Sequence, residues 1–156
     1  MTTTRPATQT KGHTMTRNAE IENAREVDTR IAAAWDVYWT AQDKVDATEK
    51  SIRTYRYLNG DYSARIAKRE IDLESRRGER NEKREAVKAL DAAEYKGWRR
   101  FFLVKHIHSS QHCSSFRPTT RVGWLPQVSG LTEAEAVAEY DATLCTKCFS
   151  SAPVAK

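Results

Sequence analysis

Between Arg17 and Asn59 the chain contains neither proline nor glycine, and this run constrains the possible folds more than any other feature of the sequence. The two residue types that most readily break a helix are missing from it. Within it Ala24, Val27, Ile31, Ala34, Tyr38, Ala41, Val45, Thr48, Ile52 and Tyr55 follow one another in steps of three and four. That spacing lays a stripe along one side of an α-helix, so one long helix with a heptad-like seam is predicted. Asn59-Gly60-Asp61 should end it, because asparagine and glycine tolerate positive φ. A second helix is predicted from about Ser63 to Tyr95, with Ile66, Leu73, Val87 and Leu90 on one face. Helices joined so tightly fold back on each other, so residues 17–97 read as an antiparallel, coiled-coil-like hairpin with its turn near 59–62. The weak point is Glu74–Glu85, which has no large apolar residue and includes Gly78; glycine there costs about 1 kcal/mol relative to alanine. Trp35, Tyr38 and Trp39 form an aromatic stripe that either packs against the second helix or is offered to a partner or a second copy of the chain.

Residues 1–16 are rich in threonine, include Pro6 and Gly12, and show no apolar periodicity, which reads as a disordered leader. This leader lacks the apolar core of a signal peptide, and nowhere is there the run of roughly 20 apolar residues that spans a bilayer. The expected compartment is therefore the cytoplasm of a bacterial host cell, with no membrane partner. Hydrophobic residues make up 39% of the chain and charged residues 30%, too lean a mixture for one large core. From Arg17 to Gly97 there are 17 Lys/Arg and 17 Asp/Glu, so the hairpin is electrically neutral. From Trp98 onward there are 7 Lys/Arg and 4 Asp/Glu, and all four acids lie between Glu133 and Asp141. The segment Trp98 to Arg121 is thus purely basic, carrying Arg99, Arg100, Lys105, Arg117 and Arg121.

Gly97 should stop the second helix. The density of aromatic and β-branched residues from Trp98 to His108 predicts a strand. A Ser/Thr-rich loop follows over 109–120, then a short apolar run, Val122-Gly123-Trp124-Leu125, closed by Pro126. Thr132 and Glu135 have the spacing of a capping box, so a helix should begin there, with Leu131 packing from just outside it, and stop near Asp141. The fold class is mainly α: a long antiparallel helical hairpin followed by a small α+β domain over 98–156.

Cys145-Thr-Lys-Cys148 is the sharpest chemical signal, since two cysteines separated by two residues place both thiolates about one zinc ion in a turn. Upstream, His106-Ile-His108-Ser-Ser-Gln-His112-Cys113 offers three imidazoles and one thiol. Cys113, Cys145 and Cys148 with His108 complete a Cys3His set; His106, on the same face of a strand, is the alternative ligand or a supporting hydrogen-bond donor. His112, next to Cys113, is badly placed to reach the same ion and should be solvated. An odd number of thiols in a reducing compartment favours metal over disulfides. A domain of about 50 residues also rarely has enough core to fold without a staple. With all four positions filled by protein, one structural Zn2+ is expected.

Catalytic readings find little support in these residues. A zinc deaminase needs His-x-Glu ahead of Pro-Cys-x-x-Cys, and both the glutamate and the proline are missing. A thioredoxin-like role for Cys145 and Cys148 needs a β-α-β context that the pattern lacks. A nuclease using His106 or His112 as base would want Asp, Glu or Asn close by, and none is near in sequence. The stretches YKGWRRFFLV, HIHSSQHC, VGWLPQVSGLTEAEAVAEY and LCTKCFSSAPV, spanning Tyr95 to Val154, resemble the C-terminal domain of a group of uncharacterised proteins of actinobacteria and their bacteriophages. That resemblance covers somewhat over a third of the chain and implies a phage or prophage origin and a zinc-binding architecture. Members often carry a second cysteine three residues after the one matching Cys113; here that position is Phe116.

The expected function is therefore non-enzymatic, a structural or partner-protein-binding module that associates through the hairpin and has no small-molecule substrate. The alternative is a nucleic-acid-binding regulator whose Arg99, Arg100, Lys105, Arg117 and Arg121 contact phosphates while Trp98, Phe101, Phe102 and Phe116 stack on bases.

Overall fold

The computed structural model describes residues 16–58, 60–117 and 120–150. Helix α1 spans Arg17–Tyr57 and helix α2 spans Ser63–Glu94. Thr16 caps α1 by accepting a hydrogen bond from the Ala19 amide. At the turn Gly60 has φ of 140°, and the Asp61 carboxylate accepts from the Ser63 amide to start α2. Asn59, also assigned to this turn from sequence, and the leader up to residue 15 lie outside the described residues.

The two helices run antiparallel, as their cross-links show. Arg56 pairs with Glu70, Arg77 with Glu49, Lys44 with Glu79 and Arg30 with Glu94, so partner numbers rise along α2 as they fall along α1. The predicted seam supplies the buried side of α1, including Ala24, Val27, Ile31, Ala41, Val45, Thr48 and Ile52. Helix α2 buries only Leu73 and Val87, with Ile66 and Leu90 half-buried beside them. Its apolar-poor middle is joined to α1 by polar groups instead, Arg80 donating to Gln42 Oε1 at 2.7 Å and Arg77 reaching Glu49 at 2.8 Å. Gly78 does not interrupt it. Surface pairs of this kind contribute at most about 1 kcal/mol each, so the distal hairpin is thinly held.

After α2 come strands β1 (Phe102–Leu103), β2 (Ile107–His108) and β3 (Gly123–Trp124), a 3-10 turn at Pro126–Val128 and helix α3 (Glu133–Tyr140). The sheet is antiparallel in the order β2-β1-β3, with Phe102 opposite both His108 and Trp124. The single strand expected over 98–108 is thus a hairpin that turns at Val104–His106, where the Val104 amide donates to the His106 carbonyl. Phe101, Ile107, Leu125, Val128, Ala136 and Phe149 form a small core of their own. Helix α3 starts with the expected capping box. Glu135 of that box also binds Arg17, and the Arg17 guanidinium, followed by the Thr132 amide and hydroxyl, holds its carboxyl down to about 2.

The C-terminal module is seated on α1. Asp28 is fully buried and accepts hydrogen bonds from Trp98 Nε1 at 2.8 Å, Arg100 Nε at 2.8 Å and Ser129 Oγ at 2.6 Å. Trp98 and Trp124 pack with Trp35 and Leu90 against Val27, Ile31 and Val87. The aromatic stripe of α1 therefore faces both α2 and the C-terminal module, with the Arg121 guanidinium 5.0 Å from the Trp39 ring centre. Gly130 packs its backbone tightly on α1: its φ is 79°, and a Cβ there would stand 3.3 Å from Ile21 Cα and 3.4 Å from Ala24 Cβ. Gly130→Ala combines a left-handed backbone with a crowded helix surface. It is expected to cost roughly 2 kcal/mol or more, read as a lower urea midpoint with an unchanged slope.

Candidate metal centre

Three separate stretches deliver the ligands. Strand β2 is held on its outer side by a ladder in which the Ile107 amide donates to the Thr143 carbonyl and the Cys145 amide donates to the Ile107 carbonyl, both at 2.9 Å. This parallel bridge between Ile107 and Leu144 sets Cys145 beside His108. At Cys145 the chain turns, with the Cys148 amide 3.1 Å and the Phe149 amide 3.0 Å from the Cys145 carbonyl. Phe149 then enters the core against Phe101, which anchors the turn from below. Cys113 arrives on the loop after β2, in a turn where the Phe116 amide donates to the Cys113 carbonyl at 3.0 Å.

The ligand atoms of His108, Cys113, Cys145 and Cys148 all lie within 4.8 Å of one another. Cys113 Sγ is 3.8 Å from Cys145 Sγ, and Cys148 Sγ is 3.7 Å from His108 Nδ1. Two thiolates on one tetrahedral zinc, each about 2.3 Å from the ion, stand about 3.8 Å apart, and a thiolate and an imidazole stand about 3.5 Å apart. These two separations match that geometry, and the sulfurs are far beyond the S–S bond of about 2.05 Å in a disulfide. All three thiols are free, Cys113 and Cys145 are buried and Cys148 is half-buried. The donor set therefore fits a single ion of the zinc class.

Local electrostatics suit ligation at His108 and Cys113 and oppose it at Cys148. Burial lowers the His108 pKa, with a smaller contribution from neighbouring His106, which favours the neutral imidazole that binds metals. Burial pushes the Cys113 thiol up, but hydrogen bonds from the Ser115 hydroxyl and amide and the nearby Cys148 and Cys145 sulfurs outweigh it and bring the group below its usual value. Cys148 is raised, chiefly by burial, against hydrogen bonds from Ser109.

His106 does not join the cluster. Because the chain reverses at residues 104–106, it sits in the turn before β2 rather than two places along one strand, and its Nδ1 meets Thr143 Oγ1 at 2.7 Å. His112 is exposed, as expected. Phe116 lies over the site, its ring centre 4.3 Å from that of His108.

The candidate nucleic-acid contacts have other neighbours. Arg100 is almost wholly buried, ion-paired with Asp28 and Asp91 at 2.7 Å each and 3.6 Å from the Tyr95 ring centre. Arg121 is clamped to Asp43 of α1, which lowers the carboxyl and raises the guanidinium. Arg99 stands 3.8 Å from Glu133. Lys105 and Arg117 are exposed. The segment is basic in sequence, but carboxylates from α1, α2 and α3 neutralise three of its five cations. Phe101 and Phe102 are buried in the core and do not offer stacking faces.

Neither the family models, the curated proteins nor the solved structures contain a match to this chain. The Cys113–Phe116 and Cys145–Cys148 turns share the same amide-to-carbonyl bond across three residues, but only the second ends in a ligand. His108 supplies the fourth donor that Phe116 does not. His108→Ala is expected to weaken metal binding by more than the roughly 10–100-fold that follows loss of a supporting residue. Adding Phe116→Cys to it should restore four donors. Cobalt absorption spectra check both, because sulfur-to-metal charge transfer scales with the number of thiolates.

Proposed function

We propose that this protein is a non-enzymatic, zinc-stabilised binding module, in which a metal-clamped base carries a helical arm that engages a protein partner or a second copy of the chain. The supporting observation for the metal's role is that protein donors fill all four positions, which leaves no site for a reactive water. The partner-binding role rests on the hairpin tip. Tyr57 is 87% exposed, Ile71 75% and Leu58 47%, at the end farthest from the C-terminal module. Large apolar groups left in water at the end of an arm mark a contact surface. No described helix is long and apolar enough to cross a membrane. A bacterial cytoplasmic setting and a phage or prophage origin belong to the same reading, through the resemblance of residues 95–154.

Elemental analysis of the purified chain should find one zinc per molecule. Wild-type protein immobilised at its C-terminus should retain a host protein, or form dimers by light scattering, and Tyr57→Ser/Ile71→Ser should lose that association with its zinc intact. Equal association by the wild type and the double variant would overturn the role of the tip.

A further inference from the structure

Where the hairpin meets the C-terminal module, a cleft of about 510 Å³ opens between α1, α2 and the loop before Cys113. A second hollow of about 350 Å³ adjoins it and shares Trp35, Arg84, His112 and Trp124 in its walls. Three tryptophans, Trp35, Trp98 and Trp124, line the larger cleft, and each is only half-buried, so part of every indole faces the opening. Arg84 and Lys88 stand one turn apart on α2 in the same wall, joined there by Arg99. Among the described residues the carboxylate in that wall is Asp91, which is already ion-paired with Arg100 at 2.7 Å. Lys88 meets Glu85 at 2.8 Å on the exposed side of α2. Arg84 makes no hydrogen bond or ion pair among the described residues, although neighbouring Glu85 feels its field.

Half-open indoles accept flat rings by stacking, and solvent-facing cations beside them, Arg84 above all, accept phosphate. The cleft also has the volume of a small-ligand site, within the range of about 300–1,000 Å³, and not the breadth of a protein interface. We propose that this cleft binds a nucleotide unit, with the base against the tryptophans and the phosphate on Arg84 and Lys88. The same chemistry is presented by a free nucleotide and by single-stranded nucleic acid. The phosphate-facing cations Arg84 and Lys88 belong to α2 and not to the basic segment 98–121, whose Arg100 and Arg121 are held by carboxylates of the hairpin.

The test uses the full zinc-loaded chain at about 50 mM salt, where phosphate contacts are strong. Two probes are titrated, adenosine monophosphate and a fluorescein-labelled dodecathymidylate, with tryptophan quenching and anisotropy as readouts. Quenching by either probe, weakened about tenfold or more by Arg84→Glu/Lys88→Glu and little changed by Lys68→Glu at the hairpin tip, supports the site. Both cleft positions are solvent-facing on α2, and unchanged zinc content and helicity confirm that the variant is folded. Tighter binding of the dodecathymidylate assigns single-stranded nucleic acid as the source, and equal or tighter binding of the mononucleotide assigns a free nucleotide. Absence of quenching by both probes overturns the proposal. So does an equal loss of binding in the Lys68→Glu control, which would mean diffuse attraction to a basic protein.

Discussion

Cys145→Ser is expected to empty the metal centre and unfold the C-terminal module. Cys145 is buried, its sulfur lies 3.8 Å from that of Cys113, and its amide closes the ladder onto Ile107. A serine hydroxyl keeps the size but not the thiolate, so the set drops to three ligands. Metal binding in small zinc domains supplies folding free energy on the order of 10 kcal/mol. The six-residue core around Phe101 and Ile107 is too small to replace it. Metal content should fall from one ion per chain to near zero, the near-ultraviolet signal of Trp98 and Trp124 should collapse, and limited proteolysis should cut beyond residue 97. A chelator strong enough to strip zinc should do the same to the wild type. A variant that retains a full equivalent of metal and its protease resistance would refute the four-ligand assignment.

Asp28→Ala is expected to produce the second largest effect, through loss of the seat on α1. The carboxylate is fully buried and gathers Trp98, Arg100 and Ser129 from two parts of the C-terminal module. Without it the Arg100 guanidinium keeps Asp91 but loses its buried partner, and two neutral donors are left unsatisfied. Breaking a buried ion pair from one side costs about 3–5 kcal/mol. For a chain of this size that corresponds to a fall in Tm of about 10 °C or more. Asp28→Asn keeps the shape and one acceptor, so it should fall between wild type and alanine. Its metal content should match that of the wild type, because Asp28's partners Trp98, Arg100 and Ser129 are not among the candidate ligands. An alanine variant as stable as the wild type would show that Gly130, the tryptophans and the remaining ion pairs to the hairpin seat the module without Asp28.

The helices were legible because their information is local. A proline- and glycine-free run with three-and-four spacing specifies α1 within a residue of its observed start, and the Thr132–Glu135 box marks the start of α3 in the same way. The clustering of the four candidate ligands was also legible, since thiols at 113, 145 and 148 have few uses in so small a domain. The choice between His106 and His108 was open because it depends on a chain reversal between them that period-two reasoning takes as continuous strand. The neutralisation of the basic segment was not legible, for a different reason. Arg100 and Arg121 meet acids 72 and 78 residues away, and no count within the basic segment contains those partners. Asp28 was invisible for the same cause: beside Val27 it looks like one more solvated acid on a neutral helix, and all three of its donors lie at least 70 residues downstream.

The long hairpin has a mechanical consequence. The module's contacts along α1 run from Arg17 to Asp43, which leaves the final turns of α1 and their α2 partners as a free-standing spar among the described residues. At about 1.5 Å per residue, the fourteen positions after Asp43 extend it roughly 20 Å past the base. Apolar contacts there are few: Val45, Ile52, Leu73 and Ile66, with the Tyr55 ring stacked on Tyr62 near the turn. Removing matched whole turns from both helices would shorten this spacer without disturbing either end, so the span between tip and base is a quantity that selection can tune independently of metal loading.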